Sequence, residues 1–185
     1  MSVTRRLGVG ALVLGVAAGF SGSPYRATRG RIDIERTVRL ILDGGDHVSA
    51  LELAGWIKDR KPGLRVIDVR TPAEFAQYAI PTAENLPLEA LMHASFAPHE
   101  TIVLYSEGGA HAGQAWVLLR AMGVSNAWFI AGGLADWDEE VMAPVLASGT
   151  QAETISGISR YFGGTPSVGD GASSSAAPVV RRRGC

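Results

Sequence analysis

The sequence predicts an α/β domain: a parallel sheet of about five strands flanked by helices on both faces. Three observations carry this. Residues 64–69 and 101–105 are short runs dominated by apolar and β-branched side chains, the pattern of strands covered on both faces. Between such runs lie stretches with helical spacing and recognisable helix starts. Strands that alternate with helices pair in parallel, because each crossover needs a helix's worth of chain.

The elements follow in order. Ile34, Val38 and Ile41 recur at i, i+4 and i+7 within residues 32–42, which predicts an amphipathic helix stopped by Asp43, Gly44 and Gly45. Its mixed charges, Asp33 and Glu35 among Arg36 and Arg39, favour packing against the domain over lying on a membrane. His47 and Val48 read as a leading strand. Ser49 and Glu52 form a capping box that opens a helix through Leu53, Trp56 and Ile57, and Lys61, Pro62 and Gly63 stop it. After the strand 64–69, Thr71, Pro72 and Glu74 supply an N-cap, a first-turn proline and a capping partner, so a helix runs to about Tyr78. Residues 84–86 suit a short strand, 88–92 one or two helical turns, and 101–105 and 126–130 two further strands. The helix between those last two carries Trp116, Leu119 and Met122 on one face and closes at Gly123. Ligands of such sheets sit beyond the C-terminal strand ends, where Asp68, Arg70 and residues 106–111 all fall.

At 185 residues and 46% hydrophobic, the chain has enough for one good core and length left over for its ends. A net charge of −1 makes no field for nucleic acid, and no nucleic-acid partner is expected. Residues 1–23 read as an export signal or signal-anchor: Arg5 and Arg6 precede an uncharged run at 7–20. That run is shorter than the roughly 20 residues of a comfortable bilayer span, which favours cleavage and leaves anchoring open. The expected location is the cell envelope, exported, periplasmic or membrane-anchored. Residues 24–46 are a basic spacer and the amphipathic helix, 47–147 the domain, 148–162 its C-terminal extension. Residues 163–185 are rich in Gly, Ser, Ala and Pro, too poor in apolar surface to order, and end in Arg181, Arg182, Arg183, Gly184 and Cys185. Cys185 is the only cysteine, so it cannot form an intramolecular disulfide; its expected use is between chains, as in a disulfide-linked homodimer.

Four stretches together resemble the rhodanese (single-domain sulfurtransferase) family: residues 66–75 (Val-Ile-Asp-Val-Arg-Thr-Pro-Ala-Glu-Phe), 80–87 (Ile-Pro-Thr-Ala-Glu-Asn-Leu-Pro), 101–111 and 132–137 (Gly-Gly-Leu-Ala-Asp-Trp). In that family the loop reads Cys-x-x-Gly-x-Arg, and its thiolate carries the sulfur being transferred. Here the loop is Ser106, Glu107, Gly108, Gly109, Ala110, His111, with serine in the cysteine position. A helix N-terminus can depress a thiol's pKa, but a hydroxyl is a far weaker acid and offers no sulfur for a persulfide. The resemblance implies that Asp68 and Arg70 brace the loop. It also implies a pocket for thiosulfate-like anions, whose positive potential Glu107 and His111 would lower.

The expectation is therefore a catalytically degenerate rhodanese-like module that binds a partner protein or small anion at the former active-site loop. The alternative is a sulfurtransferase or persulfide carrier whose accepting thiol is Cys185, with the three arginines favouring the thiolate. No cofactor and no metal are expected, since His47, His93 and His99 are scattered without ligand spacing. Trp116, Trp128 and Trp137 read as core or pocket-rim aromatics.

Overall fold

The computed structural model describes residues 33–147 and 149–169. The expectations placed on the export segment, the basic spacer 24–31 and Cys185 with its arginines lie outside the described residues. Helix α1 (Ile34–Leu42) is followed by β1 (His47–Val48), α2 (Ala50–Lys58), β2 (Leu64–Asp68), α3 (Pro72–Gln77) and β3 (Glu84–Asn85). Then come α4 (Leu88–Leu91), β4 (Thr101–Tyr105), α5 (Ala110–Ala121), β5 (Ala127–Ile130) and α6 (Leu134–Trp137), which runs into a π-helical turn, Asp138–Met142. Strand β6 (Val145–Leu146), helix α7 (Thr150–Tyr161) and strand β7 (Ser167–Val168) complete the described chain.

Five strands pair in the order β1-β5-β4-β2-β3, all parallel. Because successive residues of a strand point to opposite faces, β2 and β4 feed two cores at once. Val66, Val103 and Tyr105 face Leu53, Ile57, Leu134, Trp137 and Val141 on one side. Ile67, Ile102 and Leu104 face Leu91, Ala115, Trp116 and Leu119 on the other. At about 1.5–3 kcal/mol for each large side chain buried, these two layers are the main source of stability.

The caps match their residues. Thr71 Oγ1 accepts the Glu74 N–H while Glu74 reaches back to the Thr71 N–H at 2.9 Å, a complete capping box, with Pro72 opening the helix. Ser49 caps α2 through the Glu52 N–H at 3.0 Å, but Glu52 does not reach back to the Ser49 N–H, so the expected capping box is only half formed. Helix α5 begins at Ala110, and Met122 is exposed, so only Trp116 and Leu119 of its expected inner face are buried. Met122 is the C-cap, where the chain is already turning toward Gly123, and the face has rotated away from the sheet.

Two expectations are corrected. Helix α1 buries none of its residues, and Ile34, Val38, Ile41 and Leu42 all face outward. Periodicity identifies a face but not what covers it. At the other end, the stretch read as unordered from residue 163 retains backbone pairing as far as Gly169: Val145 and Leu146 pair in parallel with Ser167 and Val168. A ladder of main-chain bonds asks nothing of composition.

Glu140, in the π-helical turn, is half-buried and accepts the Leu51 N–H at 3.1 Å. Burial raises its pKa, against the lowering effect of that hydrogen bond. A carboxyl with a raised folded pKa favours the fold while protonated, and this contribution is lost as pH rises through the folded value. Glu140→Gln, which keeps an acceptor for Leu51, is expected to stabilise slightly at neutral pH, by less than about 1 kcal/mol after solvent screening. Urea unfolding should show no difference once the pH is below the ordinary carboxylate range.

Candidate functional site

Strand β4 ends at Tyr105, and the chain turns at once into the loop Ser106 to His111, whose second half already winds into α5. Ser106 is buried at 1% exposure. Its Oγ accepts the N–H of Gly109 at 3.1 Å and of Ala112 at 3.3 Å. The serine thus occupies the amide cradle at the helix start and takes up two of its donors.

The loop's backbone direction is set by α6. The N–H of Leu134 donates to the Ser106 carbonyl at 3.0 Å, and the N–H of Ala135 to the Glu107 carbonyl at 3.3 Å. With those carbonyls turned to α6, the N–H groups of Glu107, Gly108, Ala110 and His111 have no protein acceptor among the described residues. Gly109 makes the turn possible, with φ +85° and the Ala131 carbonyl where a Cβ would stand. Gly109→Ala is expected to lose more than about 2 kcal/mol, because left-handed strain and a backbone clash add. Thermal unfolding checks this, with Gly108→Ala as the comparison, since no atom crowds that position.

Asp68 ends the adjacent strand β2, and Arg70 lies two residues beyond it. Asp68 is wholly buried, and the Arg70 guanidinium grips it from Nε at 3.1 Å to both oxygens and from Nη2 at 2.7 Å. The remaining donors of Arg70 go to the Tyr78 carbonyl at 2.7 Å and, through Nη1, to Glu107 Oε2 at 3.0 Å. The Asp68 partnership raises the Arg70 pKa still further, so its charge is permanent. That charge is also committed. Tyr105 lies beneath, its hydroxyl accepting the Ile80 N–H at 3.1 Å. Burial, and then the neighbouring Asp68 carboxylate, push its phenol pKa up.

Beside the loop opens a cleft of about 530 Å³, lined by Arg70, Glu74, Gln77, Tyr78, Glu107, Leu134, Asp138 and Met142. Three carboxylates line the cleft with one arginine, which is already engaged by the buried Asp68 and by Glu107, itself one of the three. Hydrogen bonds from Thr71 hold Glu74 below the usual carboxylate range, so it is ionised at neutral pH. Ser106 does not line this cleft, whereas its neighbour Glu107, 75% exposed at its side chain, does.

The structure thus gathers Ser106, Glu107, Asp68 and Arg70 into one network. His111 is exposed on the first turn of α5 and makes no hydrogen bond to Ser106, so the described residues place no base on the hydroxyl. Trp116 and Trp137 are core residues, each with its indole N–H satisfied, by the Ala127 carbonyl at 2.7 Å and the Tyr78 hydroxyl at 2.9 Å; Trp128 is half-buried. Sequence reasoning missed Tyr78, Glu74 and Asp138 as lining. Glu74 reads as a helix-start carboxylate and Asp138 falls just past the last recognised motif, and nothing in their spacing brings them to one mouth.

These features define a class: a parallel α/β domain whose fourth strand delivers one buried side chain into an amide cradle at a helix N-terminus. Residues 49–140 match the Rhodanese-like domain. A sulfurtransferase of Allochromatium vinosum is 33% identical over 84 residues, which is 44% of this chain and 78% of that protein. The chain belongs to the rhodanese-like family. An uncharacterised protein of Synechocystis is 36% identical over 76 residues, 40% of this chain and 42% of that protein. Among solved structures, a rhodanese-like domain protein from Staphylococcus aureus aligns with a TM-score of 0.47 at 28% identity, over 51% of this chain and 93% of that one.

Proposed function

We propose that this protein is a catalytically degenerate rhodanese-like module of the cell envelope, which binds a partner protein at the mouth of the former active-site loop. The observation that carries this reading is Ser106: a buried hydroxyl, accepting two amide N–H bonds, stands where the resemblance calls for the sulfur-carrying thiol. Oxygen cannot form a persulfide, and an unassisted hydroxyl is a poor nucleophile.

The cleft supports a partner over a small anion. Two cradle donors are taken by Ser106 itself, and Glu74, Glu107 and Asp138 make the opening acidic, so a cationic segment of a partner fits it better. The envelope location rests on the uncharged run at residues 7–20 after Arg5 and Arg6.

Two measurements test the reading. Thiosulfate-to-cyanide sulfur transfer should stay at the buffer rate, and turnover at ordinary enzymatic rates would defeat it. An arginine-rich peptide should bind to the wild type and to Ser106→Ala alike, and lose affinity on Glu74→Lys or Asp138→Lys. The alternative, a sulfur carrier acting through Cys185, predicts a 32 Da adduct on that residue after incubation with a persulfide donor, read by intact mass.

A further inference from the structure

Helix α1 presents a stripe that nothing in the described chain covers. Ile34 and Leu42 are 71% and 78% exposed, and Val38 and Ile41 about half. The domain holds the helix from another side: Thr37 and Leu40 are half-buried, and Asp33, Arg36 and Thr37 line a crevice with Arg120, Val124 and Ser125. Ile34, Val38 and Ile41 follow one another at intervals of four and then three residues, the spacing of a seam between two helices, and Leu42 widens it. Beside the seam runs a charged flank. Glu35 and Arg39 are one turn apart on the side away from the crevice; both are exposed, and neither makes an ion pair among the described residues.

The charges of the helix say what the seam accepts. They balance, and they are ordered along it, with Glu35 in the first turn and Arg39 in the last. A surface of one sign attracts one of the two and repels the other. An identical helix laid antiparallel satisfies both. The two-fold axis of such a pair carries the flank of one copy onto the same flank of the other, so that Glu35 of each faces the half that holds Arg39 of its partner, and two unlike pairs form. The two helix dipoles then also oppose one another. A parallel pair sets the charged flank against Thr37 instead and joins neither charge.

We infer that α1 is a self-association surface: two copies of the chain pair through antiparallel α1 helices, with Val38 at the two-fold axis and Ile34 of each copy across from Leu42 of the other. Four side chains on a nine-residue helix fall short of the roughly 800 Å² per partner of a standard interface, so the pairing is weak and reversible. The crevice that holds α1 lies where α5 ends, about 18 Å along that helix from the Ser106 loop at its start, so a dimer keeps both mouths open. The inference does not depend on the partner-binding reading.

The test uses the full chain in a Cys185→Ser background, followed by sedimentation equilibrium over about a hundredfold range of concentration. The expected result is a reversible monomer–dimer equilibrium. Val38→Ser with Ile41→Ser should lower the association constant at least about tenfold and leave the melting temperature unchanged, since both side chains are exposed. Glu35→Arg or Arg39→Glu alone should lower it about fivefold, and the two together should restore it to within about twofold of the wild type, because the exchange keeps every contact between unlike charges. Orientation is read by disulfide formation under mild copper–phenanthroline oxidation. Val38→Cys should link to itself, and Ile34→Cys should link to Leu42→Cys when the two are mixed. Neither of those two should link to itself, because its two copies lie about 12 Å apart along the helices. Four results would overturn the inference: a monomer at every concentration; a dimer indifferent to the serine and charge changes, which places the contact elsewhere in the chain; self-linking at positions 34 and 42, which means a parallel pair; or a charge exchange that restores nothing.

Discussion

A cysteine introduced as Ser106→Cys is expected to be a strongly acidified thiol and a poor sulfurtransferase. The acidity follows from the cradle: the amides of Gly109 and Ala112, which now serve the serine oxygen, would serve a thiolate at the start of a twelve-residue helix. Such surroundings bring thiols from about 8.5 to between about 3.5 and 7.5. Iodoacetamide labelling against pH should place the inflection in that range, while the wild-type loop stays unlabelled. The poor transfer follows from the mouth: Glu107 adjoins the thiol, Glu74 and Asp138 line the neighbouring cleft, and the Arg70 charge is already spoken for, so an anionic donor meets an acidic surface. Adding Glu107→Gln removes a carboxylate and releases Nη1 of Arg70, and should raise the rate with thiosulfate about tenfold, as expected for about 1.4 kcal/mol of local electrostatics. Family-level rates from Ser106→Cys alone would show that the acidic mouth is not the barrier described.

Arg70→Ala is expected to destabilise the domain by about 3–5 kcal/mol, the largest effect of any single side chain outside the apolar core. The reason is Asp68, which has no exposure at all and would be left as a buried charge without its counterion. The loss should depend on pH. An uncompensated buried charge costs more than a neutral carboxyl, so the penalty is expected at neutral pH and should be relieved in acid. Arg70→Lys should fall between, because an ammonium keeps the charge but not the fork. Asp68→Asn with Arg70→Met, which removes both charges together, should recover most of the stability. Chemical unfolding at acid and neutral pH checks all three. A penalty under about 1 kcal/mol at neutral pH for Arg70→Ala would mean that water reaches Asp68.

The fold was legible because its instructions are local. Thr71, Pro72 and Glu74 are adjacent in sequence and act on one another, and the strands announce themselves by composition. The position of Ser106 was legible for the same reason, being one residue past a strand and a few before a helix. The wiring of the site was not. The contact from Arg70 to Glu107 crosses 37 residues and that from Trp137 to Tyr78 crosses 59, and each depends on which rotamer reaches across the mouth. Helix α1 fails in the opposite sense: its pattern was read correctly, but the stripe does not bury itself on the domain, because periodicity marks a face without saying what covers it.

The pair of bonds from Leu134 and Ala135 to the carbonyls of Ser106 and Glu107 has one more consequence. Both are main chain to main chain, so any residue at 106 of suitable size inherits the same mould. Form and reactivity are written on separate parts of the molecule, the first in glycines and amides, the second in a single side-chain atom. A lineage can therefore exchange that atom in one mutational step without disturbing the fold. Selection for foldability is blind to the exchange, so the shape of such a loop does not by itself report which atom it holds.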